Sequence, residues 1–179
     1  MNLRPATPED AVSIADLHTA SWRATYSAVL TPAYLEQTVP VERRELWRQR
    51  MAFPRPDQQV LLIEQGNQLA GFACAFAGES VQWGSYLENL HVAAAFQGRG
   101  LGAALIANVA HWCAQRYPAL GLYLFVNQDN VRAQRFYQSL GANNAETAEW
   151  HAPDGSTVPT FRFTWQSIAP LTAKLKQAP

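Results

Sequence analysis

Charge of either sign is scarce in this chain and nowhere accumulates to an excess. Fourteen Lys and Arg balance fourteen Asp and Glu, and charged residues make up only 16% of the 179 residues. A neutral chain of this kind has no electrostatic footprint for duplex nucleic acid or for an anionic membrane, so any anion it binds must be held by local groups. Cysteine is nearly absent: Cys74 and Cys113 sit inside apolar patterns without ligand spacing, which predicts buried free thiols and excludes a disulfide framework. The four histidines, His18, His91, His111 and His151, show no ligand pairing, so no metal is expected. No run approaches about 18 uninterrupted apolar residues, and no basic N-terminal segment leads into an apolar stretch with a cleavage site. The expectation is a soluble, cytoplasmic protein.

Hydrophobic residues make up 48% of the chain, enough for one substantial core, and the patterning predicts a single domain over residues 1–166 followed by a weakly patterned, mobile C-terminal tail over 167–179. Asn2 to Ala6 reads as a short edge strand. Thr7-Pro8-Glu9-Asp10 is a helix-start signal, and Ile14, Leu17, His18, Ser21 and Trp22 continue a helical face. A second helix runs from Val41 to Met51, with Arg43, Arg44, Arg48 and Arg50 read as a solvated face. Gln59–Glu64, Gln68–Ala77 and Tyr86–Ala93 then read as a three-strand meander turned at Gln65-Gly66-Asn67 and at Gly78–Gly84. Strand 86–93, a helix from about Gly100 to Tyr117 and the nearly continuous apolar run Leu122–Val126 make one parallel βαβ unit. A further helix, capped by Asp129 or Asn130, stops at Gly141, and Thr147–Ala152 and Val158–Trp165 form two last strands. The fold class is mixed α/β, an antiparallel meander running into a parallel strand pair with helices on both faces.

Gln97-Gly98-Arg99-Gly100-Leu101-Gly102, directly ahead of the helix-forming Ala103–Ala107, stands out from this frame. Glycine permits close approach of a ligand to the backbone, and a helix that starts in such a loop offers unpaired amides to an anion, most often phosphate. Gly98-x-Gly100-x-x-Ala103 formally fits a dinucleotide fingerprint, but four residues separate it from its strand and only strands follow Gly141. No Gly-Lys-Ser/Thr follows, so a Walker A loop is excluded.

The loop together with Asn130-Val131-Arg132-Ala133-Gln134-Arg135-Phe136-Tyr137-Gln138-Ser139-Leu140-Gly141 resembles the two signatures of the GNAT superfamily of N-acetyltransferases, in the right order and preceded by Leu90-His91-Val92 at a strand end. The resemblance spans nearly the whole chain. It implies acetyl-CoA as co-substrate, with the coenzyme A pyrophosphate wrapped by the amides of Gln97, Gly98, Arg99, Gly100, Leu101, Gly102 and Ala103, and with Arg99 within reach of a phosphate. It further implies that the parallel strands splay past Val92, so that Leu90, His91 and Val92 meet the peptide-like pantetheine arm on one side and Asn130, Ala133 and Phe136 on the other. The implied reaction is direct attack of a primary amine on the thioester. Glu88, four residues before Val92 and so expected on its strand face, is the candidate base; a carboxylate that only attracts the cationic amine is the competing reading. Tyr137 is the candidate acid for the departing thiolate. His91 is expected on the opposite face from Glu88. Trp22, Tyr26, Tyr34, Trp83 and Tyr86 are candidates to line the pocket of a small-molecule or peptide amine acceptor. A non-catalytic acyl-CoA sensor of the same fold is the alternative, and the C-terminal strands offer an edge on which two copies could pair as a homodimer.

Overall fold

A computed structural model describes residues 1–176 of the chain. Its seven strands form one sheet in the order β1-β2-β3-β4-β5-β7-β6. Strand β1 (Asn2–Pro5) precedes helix α1 (Ala11–Tyr26), and α2 (Val39–Ala52) leads to the meander β2 (Gln58–Gln65), β3 (Gln68–Ser80) and β4 (Gly84–Val92). Helix α3 (Leu101–Arg116), strand β5 (Leu122–Asn127) and helix α4 (Val131–Ser139) follow, and the chain closes with β6 (Asn143–His151), β7 (Thr157–Trp165) and α5 (Ile168–Lys176). All neighbours are antiparallel except β4 and β5, which run parallel. Among the described residues no helix is long and apolar enough to cross a membrane.

The central strands read as continuous apolar runs because both faces of the sheet are covered. On one face Ile14 and Ala15 of α1 and Trp47 of α2 pack over Val60, Leu62, Phe72, Cys74 and Phe76. On the other, Leu105, Ile106 and Val109 of α3 cover Leu61, Ile63, Ala73, Ala75 and Leu87. A third cluster joins Trp22, Leu35 and Val39 to Ala152 and Val158, so the connection between α1 and α2 is anchored on the β6–β7 hairpin.

Three expectations need correction. Helix α2 begins at Val39, running straight on from a π-type turn at Tyr34–Thr38, and β6 begins four residues earlier than Thr147. The segment read as a mobile tail forms α5 as far as Lys176: Ile168 and Leu171, three residues apart, are buried against the core beneath α3. Two apolar residues on a short helix are too faint a period to stand out in sequence, yet they suffice for one narrow contact face. Residues 177–179 lie outside the described residues.

The parallel pair positions the site. Its register holds for only two partners, Ser85 with Leu122 and Tyr86 with Tyr123. At that end a Cβ on Gly84 would fall 2.2 Å from the Gly121 carbonyl oxygen, and one on Gly121 would fall 2.2 Å from the carbonyl oxygen of Trp165. Glycine therefore lets three backbones converge, with Ser85 N donating to Gly121 O at 2.9 Å. Past this point β4 stays with β3 as far as Val92 opposite Gly71, while β5 stays with β7 as far as Asn127 opposite Thr160, and the sheet splits into a V.

Gly121→Ala should lose at least about 3 kcal/mol of stability, since the overlapping atoms are backbone and cannot rotate away. Leu171→Ala should lose about 2–4 kcal/mol, whereas a residue in a mobile tail would lose nothing. Urea denaturation of both variants checks the two values.

Candidate functional site

The V opens into a cleft of about 1540 Å³ bounded by β4, β5, the glycine loop, α4, the C-terminal half of α1 and one face of α2. Its β4 wall is set by hydrogen-bond alternation. Ala93 N donates to Ala70 O at 2.9 Å, which makes that a hydrogen-bonded pair. In an antiparallel ladder the next pair, Val92 with Gly71, and the one two further on, Leu90 with Ala73, are then non-hydrogen-bonded. The amides of Leu90 and Val92 accordingly point away from β3, towards a β5 that has already diverged. The splay begins at Tyr86 and Tyr123 rather than past Val92.

At the far end of the cleft Gly98 and Gly100 both adopt φ of +76°. A Cβ there would meet nothing within 4 Å, so these positions require glycine for the left-handed backbone rather than for space. Helix α3 starts from Gly100, and Ala104 N donates to Gly100 O at 3.0 Å. The amides of Leu101, Gly102 and Ala103 precede any intrahelical partner and form the positive end of the helix dipole. Gln97 contributes differently: its Nε2 donates to Val92 O at 3.0 Å and its Oε1 accepts from Arg132 Nη1 at 2.7 Å, tying the strand end to α4. The Arg99 side chain leans over the Phe96 ring at 5.4 Å and reaches Gln65 Oε1 at 3.4 Å, away from the cleft wall.

Asn130 caps α4, its Oδ1 accepting from Ala133 N at 3.1 Å, and Ala133, Phe136 and Tyr137 line the cleft one turn on. A Cβ on Gly102 would stand 3.3 Å from the Phe136 ring, so the two signature segments pack directly on each other. Tyr137 is buried beside Phe136 and Trp165, with ring centroids 5.2 and 6.2 Å away. Burial pushes its hydroxyl well above the ordinary range for tyrosine, so it keeps its proton at neutral pH and can donate it.

The other end of the cleft departs from simple alternation. Between Leu87, opposite Ala75, and Asn89, opposite Cys74, Glu88 is an extra residue, a β-bulge. The bulge reverses the pleat, so Glu88 does not share the face of Val92. Val92 packs with the α3 side of the core, while Glu88 turns to α2 and forms a bidentate ion pair with Arg50, its Oε1 at 2.7 Å from Nη2. Asn89 Nδ2 donates to Glu88 Oε2 at 2.6 Å. Burial works against the Arg50 charge and the Glu88 carboxylate more than restores it. By the same reversal His91 lies on the helix side with Glu88 and not opposite to it, its ring 4.8 Å from that of His18.

Of the aromatic candidates, Trp22, Tyr26 and Tyr86 line the cleft. Tyr34 and Trp83 are not part of its wall: Tyr34 is buried with its hydroxyl donating to Glu42 at 2.6 Å, and Trp83 lies under the Arg162 guanidinium, 4.7 Å away. Residues that sequence reasoning passed over complete the wall. Trp150 closes a cluster with Trp22 and Tyr26 at centroid distances of 5.5 and 5.6 Å. Arg43 and Arg50 look solvated in sequence because a charged helical stripe looks the same whether it faces water or a polar cleft. Trp150 carries no local signal beyond its strand.

A model of the Acetyltransferase (GNAT) family matches residues 14–142. A probable N-acetyltransferase of Mycobacterium tuberculosis is 22% identical over 174 residues, covering 95% of this chain and 96% of its own length. Among solved structures, a GCN5-related N-acetyltransferase from Rhodopseudomonas palustris superposes with a TM-score of 0.73 at 20% identity, over 92% of this chain and 94% of the other. YncA of Salmonella typhimurium, solved with its cofactor acetyl-CoA, gives 0.65 at 18% identity over 93% of each chain.

Burial pushes His91 down to about 4 and His18 lower still, the second aided by the charge of its neighbour. An unfolded-chain histidine titrates near 6.5, so the stability contributed by keeping His91 neutral is complete above that pH and is lost as pH falls towards about 4. Between those values the dependence of stability on pH should be flatter in His91→Gln than in the wild type, by up to about 1.4 kcal/mol per pH unit. Urea midpoints measured across the interval test the sign and size.

Proposed function

The chain belongs to the Acetyltransferase (GNAT) family, and we propose that it transfers the acetyl group of acetyl-CoA to a primary amine by direct attack in a ternary complex. The observation that carries this reading is the V between β4 and β5, whose unpaired strand amides lead straight to the unpaired amides at the start of α3. These donors suit the chemistry of coenzyme A: Leu101, Gly102 and Ala103 would hold a pyrophosphate without net basic charge, and Leu90 would hold the peptide-like arm. Acetyl-CoA supplies an acyl group activated as a thioester.

The protein's residues must then orient that carbonyl and manage two protons. The Val92 amide, fixed by the strand, polarises the carbonyl as an oxyanion donor. A lysine-type amine is neutral to only about one part in a few thousand at pH 7, so a group must remove its proton, and Glu88 takes that role directly or through a water. Tyr137, protonated at neutral pH, donates to the departing sulfur. The Arg50–Glu88 pair also favours a second reading, in which the chain binds acyl-CoA without turnover and Glu88 is only a fixed charge.

Thiol release from acetyl-CoA with a panel of amino acids, polyamines, aminoglycosides and peptides separates the two readings: release with any acceptor supports transfer, and tight coenzyme A binding without release supports the binding module. Tyr137→Phe should lower kcat about tenfold to a hundredfold with KM little changed, and unchanged turnover would remove its acid role. Glu88→Gln should lower kcat about a hundredfold if Glu88 is the base, but raise the acceptor KM with kcat nearly intact if it only attracts the amine.

A further inference from the structure

Helix α2 turns Arg43, Leu46 and Arg50 to the cleft, a spacing of three and then four residues that keeps them on one face. Arg50 is committed to Glu88. Arg43 has no comparable partner, although its side chain is only 14% exposed. Its guanidinium lies over the Trp22 ring, 4.3 Å from the centroid, and its Nε–H is buried without an acceptor. The adjacent carboxylate, Glu42, stands 3.4 Å from one terminal nitrogen, and the same oxygen already accepts the Tyr34 hydroxyl at 2.6 Å. Burial lowers the Arg43 pKa in spite of Glu42. A desolvated cation with an unused donor is costly unless a counter-charge reaches it, and the open side of Arg43 is the cleft. Nothing on this wall suits a polycation: Glu88 is neutralised by Arg50, and the remaining carboxylates, Asp129 and Glu149, are exposed at the rim.

We propose that the acceptor is a zwitterion, a primary amine carrying an anionic oxygen group that Arg43 binds through its terminal N–H groups, with the body of the molecule against Trp22. Carboxylates and phosphonates share this chemistry, which favours amino acids and their analogues over polyamines and aminoglycosides. Seven residues along α2 place Arg43 about 10 Å from Arg50 along the helix axis, so one small molecule can put its anion at Arg43 and its amine between Arg43 and Glu88. The inference rests on the acetyl-transfer reading above for the identity of the reacting amine, but the anion site itself is independent of turnover.

The test compares acceptors that differ only in the anion: phenylalanine, its aminophosphonate analogue and phenethylamine, with the same comparison for lysine and cadaverine. The anionic member of each pair should be preferred in kcat/KM by about tenfold to a hundredfold, and the two phenylalanine arms show which oxyanion fits. Arg43→Gln should abolish the preference while leaving coenzyme A affinity unchanged, and Arg43→Lys should restore part of it. If wild-type enzyme acetylates phenethylamine and cadaverine as well as the amino acids, the inference is overturned and the acetyl-transfer reading stands. If no amine is acetylated, that reading fails, and the anion site is decided by NMR of the coenzyme A-loaded protein. The Arg43 Nε–H resonance, assigned by its loss in Arg43→Gln, should shift with N-acetylphenylalanine and not with N-phenethylacetamide; no shift with either overturns the site.

Discussion

Two parallel strands that part after two residue pairs govern the whole molecule. Where Gly84, Gly121 and the Trp165 carbonyl crowd together, no side chain can intervene and the backbones must meet. Beyond that point each strand has a better partner on its outer side, β3 for β4 and β7 for β5, so the sheet gains more by following those ladders than by closing the gap. Strand amides left without partners inside a protein are ordinarily a liability. Here they face a cleft that runs to the open start of α3, and the two sets of donors make one continuous surface suited to a long ligand with a peptide-like arm and a phosphate-bearing end.

The bulge at Glu88 has the second-largest effect. One additional residue on β4 reverses the pleat, sends Glu88 towards α2 and brings His91 round beside His18. A carboxylate in that position needs a cation, and Arg50 supplies it. Helix α2 thereby becomes a wall of the site rather than a solvated exterior, with Arg43 two turns before Arg50 on the same face. The Trp22, Tyr26 and Trp150 cluster fills the space between this wall and the β6–β7 hairpin. Donor and acceptor ends of the cleft are thus built on different principles, backbone amides at one and side-chain charges and aromatics at the other.

The difference explains which residues were legible in sequence. Backbone sites need residues that permit unusual dihedrals or close contact, and those are few and conspicuous: Gly98 and Gly100 at positive φ, Gly102 under the Phe136 ring, and Asn130 capping α4. Side-chain sites draw on common residue types whose direction depends on the helix or strand they stand on. Tyr34 and Trp83 looked as suitable as Trp22 and Tyr26, but packing sent Tyr34 to Glu42 and Trp83 to Arg162. Helix α5 leaves little trace in the sequence because only Ile168 and Leu171 mark its buried face.

By itself the sequence determined the mixed α/β class, the order of the elements from β1 to β7, the free thiols and the glycine loop at the start of α3, because each depends on local periodicity or on residues with special backbone freedom. It also carried the family resemblance, which the match over residues 14–142 establishes. Tertiary structure alone decided where β4 and β5 part, which way Glu88 and His91 face, and that Arg43 and Arg50 border a cleft. A bulge or a strand divergence is a competition between ladders formed by segments far apart in the chain, and no local pattern records its outcome.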